Sequence, residues 1–144
     1  MNQKIKKIVI VLRMSMGVIF FWAFLDKLFG LGFATASDDS WISGQSPTQQ
    51  FLLFGTHGPF APMFQLLAGQ LWVDWLFMAG LLCIGIALLL GIAQRIATWS
   101  GTILLFLMWL SLFPPKNNPI IDEHIIYIFV LWLVYYLDRK KYVG

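Results

Sequence analysis

Ligands for metals and partners for disulfides are scarce in this sequence, which has one cysteine and two histidines among 144 residues. The single thiol, Cys83, excludes an internal disulfide and any CxxC redox pair. His57 and His124 are far apart in the sequence, and with one cysteine they do not make a specific metal-ligand set. Phosphate-binding loops, nucleophile elbows and Rossmann glycine motifs are missing as well. We therefore expect no metal or nucleotide site in this chain, and any electron carrier would come from elsewhere.

Charge is the second shortage. Charged residues make up 12% of the chain, whereas 59% of the residues are hydrophobic and 17% are aromatic. This balance lies well outside that of soluble domains. A chain of this length can form one compact bundle, and nothing in it suggests a second domain. We predict an all-α integral membrane protein that forms a single domain over residues 1–144, with the lipid bilayer around it and no nucleic-acid partner.

The sequence contains several long apolar segments. A spanning helix needs about 20 residues, and four runs approach this length: 8–31, 71–93, 95–113 and 119–137. In the fourth run, Asn118 and Pro119 have the residue types of an N-cap and a first helical position. We predict a four-helix bundle. A cleaved signal peptide is the alternative for the first run, which is long for one and is interrupted by charges.

The distribution of basic residues predicts the orientation, because cytoplasmic flanks retain Lys and Arg. The loop 32–70 contains no Lys or Arg and includes Asp38 and Asp39. Eight of the ten basic residues lie instead at the N-terminus, after the second run or at the C-terminus: Lys4, Lys6, Lys7, Arg13, Arg95, Arg139, Lys140 and Lys141. We predict that both termini are cytoplasmic and that the loop faces outward.

The outer loop is predicted to be structured. Its segment "SPTQQFLLFG" at 46–55 is typical of a short helix that Ser46 caps and Gly55 ends, and it is too short to span. A second short helix is expected after Pro59 and Pro62. Trp41 and His57 either point inward under this loop or are, respectively, an interfacial aromatic residue and a solvated histidine.

Several charged residues lie too deep for a simple helix end. Arg13 and Lys27 are fourteen residues apart, about 21 Å along a helix, which is shorter than a hydrocarbon core of roughly 30 Å. Long side chains can snorkel to the interface, but Asp26 is too short to do so. The fourth run repeats the problem, because only thirteen uncharged residues, 125–137, follow Asp122, Glu123 and His124.

The predicted topology brings the deep charges to one outer end of the bundle, where they would form a polar chamber under the loop. These residues are Asp26, Lys27, Asp74, Asp122, Glu123 and His124. Ionisable groups in a membrane pair with one another or with a substrate, so the chamber is either a ligand or proton site or a structural lock. Phe24 and Tyr127 lie on aromatic faces that either hold a quinone or pack against neighbouring helices.

Four segments resemble the DoxX-like family, in particular the branch related to the DoxD subunit of thiosulfate:quinone oxidoreductase. They are "RMSMGVIFFWAFLDKLFG" at 13–30, "SWISGQSPTQQFL" at 40–52, "GLLCIGIALLLGIAQRIA" at 80–97 and "NNPIIDEHIIY" at 117–127. The resemblance implies a four-helix protein in the cell membrane of a bacterium or archaeon. It also implies roles for the residues that match the family pattern: Arg13, Lys27, Trp41, Asp122 and His124.

The first functional hypothesis is therefore a membrane subunit of a quinone-linked oxidoreductase, which passes electrons from thiosulfate or a related sulfur compound to membrane quinone. In it, Asp26, Lys27, Asp122 and His124 are catalytic. Arg13, Trp41, Asp74 and Glu123 bind the substrate, and Phe24 and Tyr127 bind quinone. The weak point is electrostatic, because four acids around one lysine repel an anion.

The second hypothesis is a non-catalytic scaffold or assembly partner for a redox enzyme, in which the buried charges hold the bundle together. A second redox subunit and a homo-oligomer are the expected protein partners. A proton or small-solute pathway is a third class, but the sequence offers no obvious polar route inward and no paired broken helices.

Overall fold

The computed structural model describes residues 1–143, with side chains described as far as Arg139. These residues form helices, turns and loops, and no strand occurs among them. Lys140 and Lys141 are two of the basic residues that predict a cytoplasmic C-terminus, and their side chains lie outside the described residues. The α-helices are α1 (Gln3–Phe29), α2 (Ala61–Gln65), α3 (Leu71–Leu90), α4 (Gln94–Ser111) and α5 (Glu123–Val143).

Four long helices occupy the four predicted segments, with shifted ends. Helix α1 begins after the N-cap Asn2 and ends at Gly30, whose left-handed conformation (φ 65°) stops the helix. Helix α5 begins at Glu123, so the expectation that Asn118 and Pro119 start it is wrong. The Asn118 side chain instead accepts hydrogen bonds from the backbone N–H groups of the next turn.

Among the described helices, α1 and α3 are the two that are long and apolar enough, by length and composition, to cross a membrane. Helix α3 carries no charge between Asp74 and its C-cap at Gly91.

The four long helices pack as a closed ring in which each contacts two others. Helix α1 lies against α3 and α5, and α4 lies against the same two helices. The core between them is built of long aliphatic and aromatic side chains, among them Met16, Phe20, Met78, Ile84, Leu88 and Leu131.

Helices α1 and α3 approach each other closely at two glycines. A Cβ atom added to Gly85 would lie 2.8 Å from the backbone nitrogen of Phe21, so a larger residue there would force the two helices apart. Gly17 on α1 is similarly tight against Leu89. Cys83 is exposed and is therefore not part of this contact.

The segment between α1 and α3 is compact rather than extended. It contains 3₁₀ turns at Ser37–Asp39 and Trp41–Ser43, a π-helical turn at Phe51–Gly55 and helix α2. The Ser46 hydroxyl accepts the N–H groups of Thr48 and Gln49, as its predicted capping role requires. The predicted short helices are thus present, although the first is only partly α-helical.

Candidate functional site

Asp26 is 2% exposed and fastens the turn that follows α1. One carboxylate oxygen accepts the backbone N–H of Phe33 at 3.2 Å, and the other accepts that of Ala34 at 2.8 Å. The turn depends on Gly30, because a Cβ there would lie 2.7 Å from the carbonyl oxygen of Ala36. The short acid that could not snorkel is therefore satisfied by the protein backbone.

Asp74 performs the equivalent task from the first turn of α3. It is 5% exposed, and its Oδ1 accepts hydrogen bonds from the hydroxyls of Ser46 at 2.7 Å and Thr48 at 2.6 Å. Hydrogen bonds to a charged acceptor are stronger than neutral ones. Asp74 therefore ties the middle of the loop to the bundle.

Asp122 caps α5 and orients His124. Its Oδ1 accepts the backbone N–H groups of His124 at 3.0 Å and Ile125 at 3.4 Å, and its Oδ2 lies 2.8 Å from His124 Nδ1. Both side chains are nearly buried, at 11% and 12% exposure, whereas Glu123 is exposed. In the neutral ring, a carboxylate that accepts from Nδ1–H favours the tautomer in which Nε2 carries no proton.

The same three residues offer one ligand atom each within 4.8 Å of one another, a spacing that a metal ion could use. However, both oxygens of Asp122 already accept hydrogen bonds, and Nδ1 of His124 is occupied by Asp122. The contacts between Asp122, His124 and the first turn of α5 account for the positions of both side chains without a metal ion.

Arg13 lies far from the other predicted site residues. Its Nη1 donates to Asp138 Oδ2 at 2.9 Å, an ion pair that joins α1 to α5. The guanidinium also lies against Gly91 at the end of α3, where a Cβ would approach Nη1 to 2.8 Å. The ion pair between Arg13 and Asp138 lies about 21 Å along α1 from Lys27. Sequence reasoning did not predict Asp138 as a partner. The available signal was the position of Arg13 inside a predicted membrane span, where a charged side chain needs a partner of opposite charge.

Lys27 lines a cavity of about 310 Å³ whose other walls come from the segment between α1 and α3. We call it the loop cavity; Lys27, Thr35, Asp39, Ser46, Gln49 and Phe51 are among the residues that line it. The Lys27 ammonium lies 5.9 Å from the centre of the Phe77 ring. Within residues 1–139, no carboxylate oxygen lies within 4.0 Å of it.

The aromatic residues of the predicted sites take part in packing. Trp41 stacks edge-to-face on Trp75, with ring centroids 4.8 Å apart. Trp41, Phe24 and Tyr127 all pack, partly buried, against the apolar core. His57 is half-buried, and its backbone N–H donates to the carbonyl of Ser111.

The charges of the predicted chamber thus fall into separate arrangements. Asp26 and Asp74 lie behind the loop cavity, because each holds a residue of its lining, Ala34 and Ser46 respectively. Asp122, Glu123 and His124 are not among the lining residues of this cavity. Sequence reasoning missed Asp39 and the loop glutamines as lining residues; the only available signal was a polar loop without basic residues.

Comparisons of the chain with protein-family models, with curated proteins and with solved structures found no match in any of the three.

Proposed function

We infer that this protein is a multi-pass protein of a bacterial or archaeal cell membrane, in which α1, α3, α4 and α5 all span and both termini are cytoplasmic. The support is exposed apolar surface on every one of these helices. Val11, Leu76, Ile103 and Phe129, one on each helix, are exposed by 62%, 67%, 58% and 61%. Soluble monomers rarely expose large contiguous apolar patches, whereas lipid would cover such surfaces on all sides.

Within that membrane, the role that the geometry supports best is that of a scaffold subunit for a quinone-linked oxidoreductase. One observation carries this choice: most of the predicted catalytic and substrate-binding charges are engaged inside the protein. Asp26 and Asp74 hold the loop, Asp122 caps α5 and Arg13 pairs with Asp138. Such groups stabilise the bundle and its outer loop, which would then present a fixed surface to a second redox subunit. The redox assignment itself rests on the DoxX-like resemblance.

The test compares stability with activity in the same purified protein. In nanodiscs, the chain alone should not reduce decylubiquinone with thiosulfate, because in this role the electron carrier belongs to a partner. Asp26→Asn and Asp122→Asn should lower the melting temperature, since each weakens several charge-assisted hydrogen bonds. Robust thiosulfate-dependent reduction by the chain alone would contradict the scaffold role.

The Asp122–His124 pair favours a second candidate, the subunit that passes electrons itself. A histidine whose Nδ1 contacts a carboxylate is suited to accept and release a proton at Nε2, and quinone reduction consumes protons. Here decylubiquinone reduction should occur, His124→Gln should abolish it, and the melting temperature should stay within a few degrees. Glu123→Gln, which changes the exposed neighbour, is the matched control.

A further inference from the structure

The loop cavity contains two opposite charges that do not pair with each other. Lys27 and Asp39 both line it, yet the ion pairs among the described side chains are Arg13–Asp138 and Asp122–His124. Neither Lys27 nor Asp39 makes a side-chain hydrogen bond to another described residue. Charges in a partly enclosed site are costly without partners. The cavity therefore offers one free cation and one free anion to an occupant.

The other lining residues indicate the size and polarity of a ligand that would fit the cavity. Thr35, Gln45 and Gln49 supply hydroxyl and amide groups, while Phe51 and Leu53 supply an apolar wall. A volume of about 310 Å³ is at the lower end of the range for small-molecule sites, roughly 300–1,000 Å³. The glutamine side chains are exposed, so the cavity is open to solvent. The occupant is small, partly apolar and able to make several hydrogen bonds.

Charge balance decides between an anion, a cation and a molecule that carries both charges. Asp26 adjoins Lys27 in the chain, so one lysine faces two nearby acids and the local formal charge is negative. A net anion is disfavoured by Asp39 and Asp26, whereas a simple cation would leave the Lys27 ammonium without a partner. A neutral zwitterion meets both charges of the cavity with opposite charges of its own.

We propose that the loop cavity binds a small zwitterionic amino acid with an apolar side chain. Its carboxylate pairs with Lys27, its ammonium group with Asp39, and its side chain lies against Phe51 and Leu53. The walls are held in place before binding, because Asp26 fixes Ala34 and Asp74 fixes Ser46. A preformed site lowers the entropy lost on binding.

The proposal is tested by calorimetric titration of the purified full chain in nanodiscs, with empty nanodiscs as the blank. L-leucine is the probe. Two analogues each remove one charge: 4-methylpentanoate lacks the amino group, and 3-methylbutylamine lacks the carboxyl group. L-leucine should bind at least tenfold more tightly than either analogue, since each charge-assisted contact contributes about a 10- to 100-fold change in affinity.

Substitutions of Lys27 and Asp39 then test whether each charge contributes to binding. Lys27→Gln and Asp39→Asn should each weaken L-leucine binding about 10- to 100-fold. The controls Lys116→Gln and Asp38→Asn alter exposed residues that do not line the cavity and should bind like the wild type. A melting temperature unchanged in Asp39→Asn separates lost binding from lost folding.

The proposal is overturned if L-leucine does not bind, if 4-methylpentanoate binds as tightly as L-leucine, or if Asp39→Asn tightens binding. The last two results would identify a simple anion site. Because the readout is binding by this chain alone, it is independent of the proposed oxidoreductase role and of its failure.

Discussion

Replacing Gly85 by alanine tests the close contact between α3 and α1. The new Cβ would lie 2.8 Å from the backbone nitrogen of Phe21 and 2.9 Å from its Cβ. Ordinary contacts between such atoms are about 3.5–4.0 Å, so α1 and α3 must separate by several tenths of an ångström. Backbone atoms cannot rotate away as a flexible side chain can. Overpacking of this kind costs about 1–3 kcal/mol.

The same helix provides the matched control. Gly80 lies five residues earlier on α3, and a Cβ added there meets no atom within 4 Å. Alanine gains about 0.5–1 kcal/mol of helix propensity over glycine at either position. The difference between Gly85→Ala and Gly80→Ala therefore isolates the clash, and we expect Gly85→Ala to be the less stable by about 1–3 kcal/mol.

The assay is equilibrium unfolding of both variants in mixed micelles with increasing SDS, followed by tryptophan fluorescence and circular dichroism. The free energy of unfolding should fall for Gly85→Ala and stay equal or rise for Gly80→Ala. Equal free energies within about 0.5 kcal/mol would refute the packing of α1 against α3 at this residue.

Three further changes test the polar contacts, each by the free energy of unfolding. Asp74→Ala should cost about 2–4 kcal/mol, because two loop hydroxyls lose a charged acceptor; a loss no greater than that of the exposed control Asp38→Ala would contradict this anchor. A double-mutant cycle with Arg13→Gln and Asp138→Asn should give a coupling energy of about 1–3 kcal/mol; additive effects would exclude the ion pair. Asp122→Ala should cost about 1–2 kcal/mol through loss of the α5 cap, and an unchanged stability would contradict that role.

The helices could be predicted from the sequence because each apolar run approaches the length that a spanning helix needs. The ends were harder. Asn118 and Pro119 have the residue types of a helix start, but Asp122 provides the actual cap with both a backbone contact and a partner in His124. Local residue types could not distinguish two consecutive turns, each with a capping side chain.

The charged residues show what the sequence could and could not supply. The position of Asp26 along α1 indicated that this residue faces protein or water. It did not indicate that its partners are the backbone N–H groups of Phe33 and Ala34, seven and eight residues further along the chain. Asp138 was overlooked because it lies among basic residues near the C-terminus and its partner is 125 residues distant. The loop cavity forms where the turns between α1 and α3 meet Lys27. The spacing of hydrophobic residues predicts helices but not the path of these turns, so the cavity could not be predicted.

The proposed membrane orientation places the loop cavity outside, and labelling of single cysteines tests it most directly. Cys83→Ser removes the one native thiol, and single cysteines are then introduced by Asp38→Cys in the loop, Asn117→Cys between α4 and α5, and Lys4→Cys near the N-terminus. A membrane-impermeant maleimide applied to intact spheroplasts should label the first two, and the third only after lysis. Labelling at Lys4→Cys in intact spheroplasts, or protection of Asp38→Cys until lysis, would contradict the proposed orientation.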